Sequence, residues 1–126
     1  MAQGYTLIEL LVAVTLLGVI SAIGIPLYMG YADTATANTV QNNLRAMYLQ
    51  QQEYLVNNNV YYKTGDACDD SYAAINTNLF GGKQVLAADG FGYCVTQATT
   101  ADFTAMAVEQ GGPRIYTIDQ NNVSNF

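Results

Sequence analysis

The stretch Tyr5 to Met29, YTLIELLVAVTLLGVISAIGIPLYM, is an almost unbroken apolar run with a single ionisable residue, Glu9. At ~1.5 Å of rise per residue, Leu7 to Met29 makes a helix ~35 Å long, enough to cross a hydrocarbon core of ~30 Å. An acidic side chain in mid-membrane costs ~2.5 kcal/mol or more. Glu9 lies close to the end of the run, where snorkelling relieves part of that cost. The residues before it offer a further reason for a carboxylate there. If the chain were cut after Gly4, Tyr5 would gain a free α-amine, a cation within reach of Glu9 on a staggered neighbouring helix. Two such charges leave water together only as a pair.

Gly4-Tyr5-Thr6-Leu7-Ile8-Glu9-Leu10 resembles the prepilin cleavage and methylation motif of type IV pilins and of the related type II secretion pseudopilins. The resemblance implies that a dedicated membrane peptidase cuts after Gly4, that Tyr5 is N-methylated where the family usually has Phe, and that Glu9 recruits the next subunit. It also implies a homo-oligomeric helical filament, with a prepilin peptidase, a platform protein and a cytoplasmic assembly ATPase as partners. The expected location is the inner membrane before assembly and a cell-surface pilus afterwards. Gly18 and Pro26 fall where the family's bacterial pilins carry a helix-weakening Gly and Pro. The likeness is close over about the first 30 residues and holds beyond them only in general layout. The leader Met1-Ala2-Gln3-Gly4 has neither Lys nor Arg. The positive-inside rule therefore gives little help, and orientation is taken from the resemblance.

Four segments are expected: a leader at 1–4, a transmembrane or filament-core helix at 5–29, an amphipathic half of the same helix at 30–57, and a globular head at 58–126. The expected fold is α+β, one long N-terminal helix packed on a small antiparallel sheet of about three to four strands. Pro26 removes a helical donor and each of Gly18, Gly24 and Gly30 weakens the helix by ~1 kcal/mol relative to Ala, which gives at least a kink. By resemblance, the segment from Gly18 to Pro26 can also unwind when the helix leaves lipid for a filament.

Beyond Gly30 the helical pattern turns polar, with Ala37, Val40, Leu44, Met47, Gln51 and Leu55 recurring every three or four residues. Tyr48 and Tyr54 widen that stripe, which should lie on the sheet. On the other face Ala32, Thr34, Ala35, Thr36 and Asn38 are small and allow close approach of helices. Asn57-Asn58-Asn59 reads as the stop of this helix. From Val60 to Asp89 the pattern is irregular, with turns at Lys63-Thr64-Gly65-Asp66 and Gly81-Gly82 and a short helix or strand near Ala73 to Leu79. Strands are expected at Phe91–Gln97, Phe103–Gln110 and Arg114–Asp119, alternating in polarity, with Gly111-Gly112-Pro113 turning the chain between the last two. The tail from Gln120 to Phe126 is polar and expected to be loose.

The composition narrows the chemistry. The chain has 126 residues, no His, and 10 acidic against 4 basic residues, for a net charge of −6. Without His, Ser-His-Asp and Cys-His nucleophiles are excluded and the commonest metal ligand is missing. No catalytic residue, cofactor or metal is assigned. Arg45, Lys63, Lys83 and Arg114 are dispersed, with no basic stripe for nucleic acid. In an exported chain Cys68 and Cys94 are expected to form a disulfide. That position departs from the many family members in which a disulfide clamps a C-terminal segment. Asp66, Asp69, Asp70, Asp89 and Asp119 could offer oxygen to Ca²⁺, as a loop does in the major pseudopilins, but in no ligand register. Asn122-Val123-Ser124 matches the short N-glycosylation triplet.

Within the family, the alternative to a major pilin is a minor pilin or a type II secretion pseudopilin. From another class comes a secreted binding module whose signal peptide is removed at Ala22-Ile23-Gly24. Against the signal peptide stand the uncharged n-region, the length of the run and Glu9 at its front. A plain membrane anchor that never assembles also fits the apolar run.

Overall fold

The computed structural model describes residues 4–65, 68, 72–87 and 89–126. It is α+β: α1 (Leu7–Asn58), α2 (Tyr72–Asn78), then β1 (Phe91–Thr96), β2 (Thr104–Glu109) and β3 (Ile115–Asp119). The strands form one antiparallel sheet in the order β1-β2-β3. The chain divides into two compact units, one ending at Ala35 and the other Thr36–Phe126.

In the first unit the apolar residues of α1 are exposed throughout, from Leu7 to Tyr31. Pro26 sits inside the helix, so the carbonyl of Ala22 lacks its usual amide donor. Residues 18–26 are nonetheless helical here.

In the second unit the expected stripe forms. Val40, Leu44, Met47 and Gln51 are buried, and Leu55, Tyr48 and Tyr54 pack partly against the same core. Large residues on β1 face small ones on β2, Tyr93 opposite Ala107 and Val95 opposite Ala105. Tyr116 and Ile118 continue that face on β3. The two alanines leave room for the helix, whose Tyr48 ring lies 6.4 Å from that of Phe103. Asn59 ends α1 with φ 61° and donates its N–H to the Leu55 carbonyl, the left-handed stop that the asparagine run suggested.

Three expectations need correction. β1 does not alternate, because Phe91 to Val95 are all buried. Cys94 is bonded to Cys68, so the chain before α2 is tied onto that strand, and α2 itself packs against β1. Thr64 is not a turn residue. It donates its N–H to the Val95 carbonyl (2.9 Å) and accepts the Val95 N–H at Oγ1 (2.9 Å), covering the free edge of β1. The tail is not loose. Asn125 brackets β3, accepting the Thr117 N–H (2.8 Å) and donating to the carbonyls of Thr117 (3.3 Å) and Ile115 (2.8 Å). Both outer strands thus have local partners, which lowers the risk of edge-to-edge pairing.

Two buried amides act as substitute peptide groups. Gln51 donates to the Tyr62 carbonyl (2.7 Å) and accepts the Tyr62 N–H (2.8 Å), holding the connecting segment to α1. Asn76 does the same for Leu86 at 2.8 and 2.9 Å. No buried side-chain nitrogen or oxygen is left without a partner among the described residues.

Candidate functional site

Helix α1 opens on a reciprocal cap. The Thr6 N–H donates to Glu9 Oε2 (3.0 Å), and the Glu9 N–H donates to Thr6 Oγ1 (3.2 Å). This is a capping box: a Thr at the cap, a Glu three residues on, each satisfying an amide that the helix cannot. The negative carboxylate also suits the positive end of the helix dipole. The T-x-x-E spacing is visible in Thr6-Leu7-Ile8-Glu9, but the apolar run drew attention to length and charge rather than to the cap.

The cap fixes where the helix begins. Gly4, Tyr5 and Thr6 lie outside it, exposed and irregular, with Tyr5 at 88% exposure. A shallow hollow lined by Tyr5, Glu9, Leu10 and Ala13 flanks the carboxylate. The Gly4–Tyr5 peptide bond therefore lies in open chain two residues before regular structure. Glu9 is exposed and held in place by one neutral amide, so it has remaining acceptor capacity for an ammonium group.

Gly18 and Pro26 lie further along the exposed helix, and a Cβ at Gly18 would meet nothing within 4 Å. They are not brought near Glu9 by any tertiary contact; their proximity is along the helix alone. Cys68 and Cys94 form the disulfide, with Cα atoms 4.8 Å apart across a separation of 26 residues.

The carboxylates considered for Ca²⁺ fall into two sets. Asp66, Asp69 and Asp70 lie outside the described residues. Asp89 accepts the Tyr93 hydroxyl (2.7 Å) and the Phe91 N–H (3.1 Å), while Asp119 accepts the N–H groups of Asn121 and Val123. These last two are occupied as structural acceptors. Asn122, the first residue of the glycosylation triplet, is exposed with φ 61° in the same turn as Asp119.

Several titratable groups of the second unit are displaced from their ordinary range. Burial, with the Asp89 carboxylate beside it, pushes the Tyr93 hydroxyl up, against the opposing hydrogen bond from Asn43. Backbone N–H donation from Thr99, together with Ala98, holds Asp102 down. The Arg114 guanidinium, bonded to Glu109 through Nε (2.8 Å) and Nη2 (3.0 Å), holds Glu109 down. Each shift thus follows from local hydrogen bonds or from burial.

A family model of the prokaryotic N-terminal methylation motif matches residues 1–25. The type IV major pilin protein PilA of Myxococcus xanthus (strain DK1622) is 33% identical over 52 residues. That match covers 41% of this chain and 24% of the relative, so it spans about a quarter of that protein's length. The methylation motif thus opens a long helix whose later turns pack on a small antiparallel sheet, and over part of its length the chain is similar to a type IV major pilin.

Proposed function

We propose that the chain is a structural subunit of a type IV pilus, anchored in the inner membrane by α1 and polymerising through that helix into a surface filament. The observation that carries the reading is the conjunction at the N-terminus: an exposed apolar helix with one carboxylate in its first turn, directly after an open Gly4–Tyr5 bond. A prepilin peptidase would cut after Gly4 and methylate Tyr5. The new Tyr5 amine would then meet Glu9 of an adjacent copy, neutralising two charges as both helices leave lipid for a multi-helix core. The Gly18 to Pro26 segment would be where the helix unwinds on entering the filament, since Pro26 leaves the Ala22 carbonyl unbonded and Gly18 lowers the local helix propensity. The head, stapled by Cys68–Cys94, would tile the outside.

The test is Glu9→Gln, which keeps the volume and removes the charge. Membrane insertion should be unchanged, because the substitution makes the run more apolar. Filaments recovered by shearing should fall to background. Normal filament yield from Glu9→Gln would defeat the pairing.

A further inference from the structure

Within the unit Thr36–Phe126, the last turns of α1 and the segment leaving α2 enclose a solvent-open cleft of about 430 Å³, a size typical of small-molecule sites. Its wall is rich in amides. Asn58 donates through Nδ2 to the Tyr54 carbonyl (3.1 Å), and Asn78 donates through Nδ2 to the Ala74 carbonyl (2.9 Å) and the Tyr62 hydroxyl (3.3 Å). The Oδ1 atoms of both take no hydrogen bond from any described residue. Each side chain is thus held from behind with its acceptor open, so little freedom remains to be lost when a ligand arrives. The Tyr54 ring is fixed by an edge contact with Tyr62, centroids 5.6 Å apart at 63°. Gln50, Asn57 and Lys83 in the lining add further donors.

The floor leaving α2 is a glycine turn. Gly81 and Gly82 have φ of 63° and 86°, a conformation that a side chain would strain. The turn is tied by the Gly82 N–H to the Asn76 carbonyl (2.8 Å) and the Lys83 N–H to the Phe80 carbonyl (3.2 Å).

We propose that this cleft binds a neutral pyranose ring, as a free sugar or as the end unit of a glycan. Each sugar hydroxyl both donates and accepts, which matches a wall of amides offering both functions at fixed positions. The C–H face of a pyranose is apolar and can cover a tyrosine ring. A phosphate would find one ammonium, Lys83, in a lining that also holds the carboxylate of Glu53. A wholly apolar ligand would bury the amides without partners. The site needs no second copy of the chain, so it stands or falls independently of polymerisation.

The test is a titration of isotope-labelled full chain in phosphocholine detergent micelles, which carry no sugar head groups. Glucose, galactose and N-acetylglucosamine, each free and as the end unit of a short oligosaccharide, are added in turn, followed by glycine and inorganic phosphate as controls. At least one sugar should shift the side-chain amide signals of Asn58 and Asn78 and the backbone amide of Gly81, saturating with a roughly millimolar dissociation constant. Free and oligosaccharide forms acting alike marks a monosaccharide site; tighter binding of the oligosaccharide marks a glycan end. The double variant Asn57→Ala/Lys83→Ala, two positions exposed in the structure, should weaken binding about fivefold or more with the melting temperature unchanged. No saturation by any sugar at about 50 mM, shifts scattered away from the cleft, full affinity in the double variant, or tighter binding of glycine or phosphate would each overturn the proposal.

Discussion

Glu9 carries two duties in this account, and Thr6 separates them. In the single chain the carboxylate caps its own helix, and in a filament it would face another copy's amine; since the Thr6 N–H is a peptide amide whether or not Gly4 is removed, the cap survives cleavage. Thr6→Ala removes one half of the box and should loosen the first turn by ~1 kcal/mol, seen as faster hydrogen exchange at the amides of Ile8 and Glu9, while Thr6→Ser should restore protection. The displaced groups of the head give a pH dependence with a definite sign. Asp102 and Glu109 titrate lower in the folded state, so the stability they add is present above the ordinary carboxylate range near ~4 and is lost as pH falls through their lowered values. Tyr93 titrates higher, so its contribution is intact below ~10 and is lost as pH rises beyond that. Melting curves across pH should show both limbs, with Asp102→Asn flattening only the acid side and Tyr93→Phe only the alkaline side.

At the level of elements, what the sequence made visible was what repeats. The stripe Val40-Leu44-Met47-Gln51 has the helical period, and glycines precede β1 and separate β2 from β3, so helix and strands appear in the structure within a residue or two of expectation. What stayed hidden depends on partners distant in sequence. Nothing in Thr64 announces that it will lie along Val95, and nothing in Asn125 announces that it will bracket β3, because a polar side chain in a loop looks the same whether it meets water or a strand edge. The capping box was legible in its spacing, and the amide cleft was not, since Asn58 and Asn78 come from separate helices. Gln51 is the clearest case of a polar residue placed in an apolar stripe for a structural reason. Gln51→Leu keeps the volume but leaves the N–H and carbonyl of half-buried Tyr62 without partners, and should cost about 2 kcal/mol, lowering the melting temperature by roughly 10 °C.

For the whole molecule, stability and the proposed assembly rest on different parts of the chain. The second unit has its own core, and the Cys68–Cys94 bond closes a 26-residue separation across it, worth ~3.5 kcal/mol on chain-entropy grounds. Reduction, or Cys68→Ser with Cys94→Ser, should therefore shift denaturation of the head substantially while leaving membrane insertion of α1 unchanged. The apolar residues of α1 up to Tyr31, by contrast, are exposed among the described residues, and on the proposed function lipid or other copies would cover them. The central claim is that removal of the leader exposes the amine that makes Glu9 tolerable in that covered state, and intact-mass spectrometry of chains from sheared surface filaments tests it most directly. The expected result is a chain beginning at Tyr5 and carrying one N-methyl group; filaments built from chains that still begin at Met1 would contradict it.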